Sequence, residues 1–389
     1  MRRFWQSGIA LLVALSFLMV VCSPRVVPPP APVITTPVPT TAPLGVAPSA
    51  PRQVDAEWQK VITAAQQEGK LMMYDSTFFA GDKRIAIPRA FKERYGIPME
   101  ILVTGGSSAT IERLQVEQRM GLYVADVFVA GSLSGPRMIS MGLSQEVAKE
   151  LPVLKDKDVF IMDMVYSPEG EAIVFGYTPM GVAANSKLVQ LGEIQSYKDL
   201  MKPKYKGKII MRDPRLGSGG SPLSLGTLRH LKIFDDTFLS TLAQQQGIYM
   251  WGGGEQEVAQ MVARGEYMVH MGADLYLLYG PLVREGAPVM PVYMQEGTVG
   301  MPNIILMSKG ANHPNAARLF INWLLSSEGQ KVYHEVGATT PMRKDVPDFL
   351  PADMKKEPIK KLLPTDWETT QAILKMISDK DFDNIFGKR

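Results

Sequence analysis

From Asp55 onward, short runs of consecutive apolar residues alternate with longer stretches in which apolar residues recur every three or four positions. The first rhythm suits buried strands and the second amphipathic helices. Trp58, Val61, Ile62 and Ala65 mark a helix from Asp55 that Gly69 stops, LMMY at 71–74 is a strand, and 87–95 is a helix ended by Gly96. Strands follow at 99–103 and 126–130. The stretch ILVTGGSSATIERLQ, 101–115, organises this half. Ile101, Leu102 and Val103 form a strand, Gly105 and Gly106 allow a tight turn, and Ser107 or Ser108 caps a helix with Ile111 and Leu114 on one face.

The apolar run 171–189, interrupted by Gly176 and Pro179, reads as one strand passing between two lobes and ending in the turn Asn185-Ser186. A short helix is expected from Ser196 to Leu200 and a strand at 206–211, after which RDPRLGSGGSPLSLGTLRHL repeats the strand, Gly-Ser turn and helix theme. That helix begins near Ser221, with Pro222 in its first turn. Gly252-Gly253-Gly254-Glu255 precedes a helix carrying Val258, Met261 and Val262, 267–272 is a strand, and 274–279 is a loop or helical turn. A final amphipathic helix opens near Pro314, carries Ala317, Phe320, Ile321, Leu324 and Leu325, and stops around Gly329. Alternating strands and helices predict a doubly wound α/β fold. The expected boundaries are 55–175 plus 300–389 for a first lobe and 185–295 for a second, with hinge strands near 175–184 and 298–307.

The amino-terminal region follows neither rhythm. Arg2 and Arg3 precede an apolar run from Ile9 to Val21, shorter than the roughly 20 residues of a membrane span, so 1–22 reads as a secretion signal. Cys22, the only cysteine, stands directly after that run, where a bacterial lipoprotein is lipidated; Val21 before it is bulkier than the usual Gly or Ala. The mature fold therefore has no disulfide. Residues 23–54, with prolines at 28, 29, 30, 32, 37, 39, 43 and 48, form an extended tether. Net charge is +3, from 42 Lys and Arg against 39 Asp and Glu, with no basic stripe and no nucleic-acid motif. A nucleic-acid partner is excluded and a monomer expected.

Ligands of open α/β sheets sit beyond the carboxyl ends of the strands. Three small polar strand ends gather there in the first lobe: Tyr74-Asp75-Ser76-Thr77, Thr104 to Ser108, and Gly131-Ser132-Leu133-Ser134. The second lobe adds Ser218, Gly219 and Ser221 at its own helix start, with Arg215 placed to pair bidentately with an oxyanion and Trp251 as an apolar wall. A helix amino-terminus presents free N–H groups and the positive end of its dipole, so two of them facing one cleft suit a phosphonate, a phosphorylated compound or a carboxylate.

The run GEYMVHMGADLYLLYGPLVREGAPVMPVYMQEGTVGMPNIILMSKGANHPNAARLFINWLLSSEGQKVY, 265–333, resembles the carboxyl-terminal half of bacterial extracellular solute-binding proteins of the ferric-iron type. KLMMYDSTF, TGGSSATIERLQVE and ADVFVAG resemble the amino-terminal half. The resemblance implies a type II periplasmic binding protein-like fold, with two α/β lobes on crossing strands that close over a ligand and deliver it to an ABC permease. It also implies an extracytoplasmic protein held at the membrane by a lipid anchor. Iron-binding members use neighbouring tyrosines of the second lobe. The matching place here holds Tyr276 and Tyr279, three positions apart, as candidate ligands for Fe3+ as the transported species, with no resident cofactor.

Two ligand classes, ferric iron and a small oxyanion, thus stay open. The histidines His230, His270, His313 and His334 fall at helix, strand and cap positions and read as structural. A secreted α/β hydrolase is the alternative of another class, but the chain lacks a G-x-S-x-G elbow and an H-E-x-x-H pair, so no enzyme is expected. A ligand-presenting subunit of a sensor shares the same fold.

Overall fold

The computed structural model describes residues 56–355 and 361–388, so the signal segment, Cys22 and the proline-rich tether lie outside the described residues. In chain order the first lobe contains α1 (Ala56–Glu68), β1 (Leu71–Asp75), α2 (Lys83–Tyr95), β2 (Met99–Val103), α3 (Ser107–Arg119), β3 (Val127–Gly131), α4 (Gly135–Ser140) and β4 (Ser144–Gln145). The crossing strand β5 (Ala172–Asn185) leads into β6 (Ile209–Arg212), α5 (Gly220–His230), α6 (Asp236–Gln246), β7 (Tyr249–Trp251), α7 (Glu255–Ala263), β8 (Val269–Asp274), α8 (Tyr279–Arg284) and β9 (Val289–Val292). The chain returns along β10 (Thr298–Ser308) to α9 (Pro314–Leu324), α10 (Ser327–Gly337), β11 (Leu362–Pro364), α11 (Trp367–Ser378) and α12 (Asp381–Phe386).

One sheet runs through both lobes in the order β2-β1-β3-β10-β5-β8-β6-β7. β1 pairs in parallel with β2 and β3, and β6 in parallel with β7 and β8. The antiparallel pair β5 and β10 joins the two parallel halves. Every residue of β5 is buried, which explains its unbroken apolar run. Its residues up to Tyr177 belong to a core shared with β1, β3, α9 and α10, whereas Met180, Val182 and Ala184 belong to a second core with α5 and α6. On β10 the same change falls between Val299 and Ile304. The lobes therefore exchange cores at Thr178 to Pro179 and around Gly300 to Asn303, where β10 also shifts register.

Two expectations give way. Gly329 does not end the helix that begins at Pro314: Ser326 caps a new helix, its Oγ accepting from the Gly329 N–H at 3.2 Å. The last segment, grouped from sequence with the first lobe, keeps Trp367 against the first core but packs on the second through Ile373, Phe382 and Ile385. The cause is non-local: β11 joins the Thr298 to Gly300 end of β10, and Gly226 of α5 leaves room for Ile373.

Candidate functional site

A cavity of about 530 Å³ opens between the lobes at the carboxyl ends of both parallel half-sheets. Three strand ends of the first lobe supply Ser76, Thr77 and Phe78 after β1, Ser107 and Ser108 after β2, and Leu133, Ser134 and Arg137 after β3. The second lobe answers with Gly217 to Gly220 after β6, Glu255 after β7, and Asp274 with Leu277 at the end of β8. Met180 and Met301 of the crossing strands form an apolar side, and Leu374, Ile377 and Ser378 of α11 complete the wall.

Two of the strand ends are shaped by an aspartate beneath them. Asp75 is fully buried, its Oδ1 accepting from the N–H groups of Thr77 (3.1 Å) and Phe78 (2.8 Å) and its Oδ2 from that of Phe79 (3.1 Å). This Asx turn presents Ser76 to Phe78 to the cavity. Asp274 does the same across the cleft, its Oδ1 accepting from Tyr276 N–H at 3.1 Å and Leu277 N–H at 2.7 Å. At α3 the helix begins at Ser107 after Gly106, whose φ of 135° only glycine adopts readily. The serines are thus in the first turn rather than at the cap. Thr110 is the first residue to hydrogen-bond back, to Gly106 O at 3.0 Å, so the N–H groups before it have no intrahelical acceptor.

The second helix start is different. Oε1 of Glu255 accepts from Gly220 N–H at 2.5 Å, so the protein's own carboxylate already occupies the amino-terminus of α5. Arg212 ties this loop together, donating to Ser218 O, to Ser218 Oγ at 3.1 Å and to Gly253 O at 3.1 Å. The expectation that both helix starts hold one oxyanion is therefore corrected: the Gly220 N–H that opens α5 is already taken by Glu255, whereas the first turn of α3 is not capped by a carboxylate. The charges lining the cavity are likewise divided, Arg137 on the first lobe and Glu255 with Asp274 on the second. Burial raises the proton affinity of both carboxyls, pushing Asp274 up to about 7.

Among the residues predicted for the site, Ser107, Ser108, Ser218 and Gly219 line the cavity. The others do not. Tyr74 is fully buried, donating from Oη to Glu117 Oε1 at 2.6 Å, and is pushed up to about 12 by burial and then by that bond. Asp75 supports its loop from below. Arg215 is consumed by a bidentate pair with Asp213, both contacts at 2.8 Å, and donates to Gly387 O at 2.8 Å. Ser221 is buried against Gly272, and Trp251 is half-buried against the core under α7, donating from Nε1 to Glu257 at 2.7 Å.

Tyr276 and Tyr279 do not converge as a metal pair. The Asp274 cap makes residues 275–278 a turn, so α8 begins only at Tyr279. Tyr279 points into the second lobe, 3.0 Å from His270 Nδ1, while Tyr276 Oη lies 3.3 Å from Thr340 Oγ1. Burial raises both phenols, which holds them protonated. Among the described residues no cluster of three or more His, Cys, Asp or Glu side chains has metal-binding geometry. His270, His313 and His334 pair with Tyr279, Asp126 and Thr339, as structural histidines do.

Arg137, Glu255, Asp274 and the α11 residues were missed as site residues. Glu255 carried a signal, since its position after Gly252-Gly253-Gly254 repeats the strand, glycine, helix pattern. α11 carried none, because its approach to the cleft depends on distant packing.

Comparison with known proteins places these features in context. The family profile of bacterial extracellular solute-binding proteins matches residues 86–362. A Salmonella typhi protein provisionally named 2-aminoethylphosphonate-binding periplasmic protein is 24% identical over 263 residues, covering 66% of this chain and 73% of its own. Iron-bound HitA from Pseudomonas aeruginosa superposes with a TM-score of 0.63 at 22% identity, over 82% of this chain and 99% of its own. AfuA from Actinobacillus pleuropneumoniae, with fructose-6-phosphate bound, gives 0.60 at 22% identity, over 82% and 98%. The two structural likenesses establish the fold.

Proposed function

The chain belongs to the bacterial extracellular solute-binding protein family, and from that premise we propose that it captures a small zwitterion bearing an oxyanion, an aminoalkylphosphonate such as 2-aminoethylphosphonate, for an ABC importer. The observation that carries this reading is the division of charge across the cleft. Ser107, Ser108, Ser134, the free N–H groups of α3 and the Arg137 guanidinium suit a phosphonate on one wall. Glu255 and Asp274 on the facing wall suit an ammonium group. A ligand with both ends bridges the lobes, and the apolar Met180 and Met301 lie beside its short carbon spacer. The provisional name of the Salmonella relative agrees with this chemistry. The relatives are binding proteins of transport systems rather than enzymes, and so is this chain.

Titration calorimetry of the protein with 2-aminoethylphosphonate tests the reading. Arg137→Gln and Glu255→Gln are each expected to weaken binding by about 1.5 to 3 kcal/mol, roughly ten- to a hundredfold. Wild-type affinity in both variants would sink it. A visible phenolate band with ferric citrate would return the function to iron. Anchorage through Cys22 belongs to the same reading: a Cys22→Ser chain is expected to leave the membrane fraction, and its retention there would refute lipidation.

A further inference from the structure

A second hollow, of about 330 Å³, adjoins the main cavity and shares Thr77, Phe78 and Leu277 with it. Its wall includes Lys83, Arg284, the Tyr276 ring and the small residues Gly81 and Gly337. Lys83 is only 5% exposed, yet its Nζ has no carboxylate partner among the described residues. It lies 3.5 Å from Phe78 O and 4.0 Å above the centroid of the Tyr333 ring. A buried lysine without an anion is rare and costly. This one is also the first residue of α2, where the helix dipole repels a cation. Burial lowers it to about 8, with Asp75 and Asp274 opposing that shift and Arg284 adding to it. Gly337 makes room for it, since a Cβ there would stand 2.8 Å from Nζ. Arg284 likewise has no ion-pair partner among the described residues, and the one carboxylate of the hollow, Asp82, sits on its exposed rim.

We infer that this hollow is a second oxyanion subsite contiguous with the main cleft, in which Lys83 and Arg284 hold either a further acidic group of the transported solute or a free inorganic anion. An anion there supplies the missing partner of the buried ammonium and offsets the repulsion between the two cations. It is distinct from the Arg137 wall, and it deepens the reading given above by allowing ligands with acidic groups at both ends.

The test is calorimetry on the full chain with inorganic phosphate, and with 4-phosphonobutyrate, which carries a carboxylate beyond its phosphonate. Arg284→Gln and Lys83→Gln are compared with wild type. A free anion predicts that phosphate binds protein already saturated with 2-aminoethylphosphonate, and that each variant weakens this at least tenfold while 2-aminoethylphosphonate affinity of Arg284→Gln stays within twofold. A second acidic group of the solute predicts no phosphate binding to the saturated protein, and a tenfold or greater loss of 4-phosphonobutyrate affinity in the variants. Unchanged affinity for both probes overturns the subsite, as does an equal loss for 2-aminoethylphosphonate. Arg284 is exposed, so its variant decides the matter even where Lys83→Gln fails to fold. Silent Arg137→Gln and Glu255→Gln variants would reject the aminophosphonate reading alone, and a tenfold loss of phosphate binding in Arg284→Gln would still support the hollow.

Discussion

At the scale of single residues, the cleft turns on how burial treats Asp274. Its carboxyl caps the turn that aims Leu277 into the cavity, and burial raises its proton affinity to about 7. The folded chain thus holds a proton that the unfolded chain releases in the ordinary carboxylate range. Through this group alone, the unliganded protein loses stability as pH rises towards about 7 and then levels off. A bound ammonium reverses the preference by favouring the carboxylate, so ligand binding below about 7 expels the proton. Affinity for 2-aminoethylphosphonate is therefore expected to climb with pH, by up to about tenfold per unit below that point, and to flatten above it. Part of the slope comes from the ligand's own second ionisation, near about 6 for phosphate-like groups. That part survives in Asp274→Asn; a wild-type slope no steeper than the Asn variant's would remove Asp274 from ammonium binding. Such a role was invisible in sequence because nothing local separates a capping aspartate from a ligand-facing one. Ser107 and Ser108 were legible because strand, glycine turn and helix lie within fifteen residues, 101–115. Tyr276 and Tyr279 were misjudged because the capped turn, four residues long, shifts the helix start and turns their hydroxyls to separate partners.

At the scale of elements, the strand and helix pattern of both half-sheets follows from local apolar rhythm, and most strands lie within a few residues of where that rhythm predicts them. What the rhythm does not specify is how closely α5 approaches the sheet. Gly220 opens that helix at a point where a Cβ would collide with the Met180 side chain and the Gly272 carbonyl oxygen. The methionine is able to move, but the backbone of β8 is not. Gly220→Ala is expected to cost about 1 to 3 kcal/mol in chemical denaturation and to weaken ligand binding by shifting the Glu255 carboxylate from the helix start. A fully stable variant with normal affinity would show that this contact relaxes freely. The same non-local logic hid α11: Ile373 packs against Gly226, far away in the chain, and that packing together with the β11 pairing brings Leu374 and Ile377 to the cavity.

At the scale of the whole molecule, two half-sheets with their own cores are joined through β5 and β10, and the proposed ligand has one end for each lobe. Closure needs interactions that exist only when both ends are engaged. Arg137 with the α3 helix start, and Glu255 with Asp274, stand on opposite sides of the cavity, so the proposed ligand would add a bridge between the lobes. Saturation with 2-aminoethylphosphonate is therefore expected to reduce the radius of gyration in solution scattering. At a hundredfold excess over Kd it should stabilise the fold by about 2.7 kcal/mol. Glu255→Gln separates closure from occupancy: at concentrations that fill its weakened site, the phosphonate end is held but one of the two contacts to the second lobe has lost its charge. Its scattering profile should stay nearer the unliganded one. Superimposable wild-type profiles with and without ligand would mean that the cleft binds as a preformed pocket and that β5 and β10 act as a rigid joint.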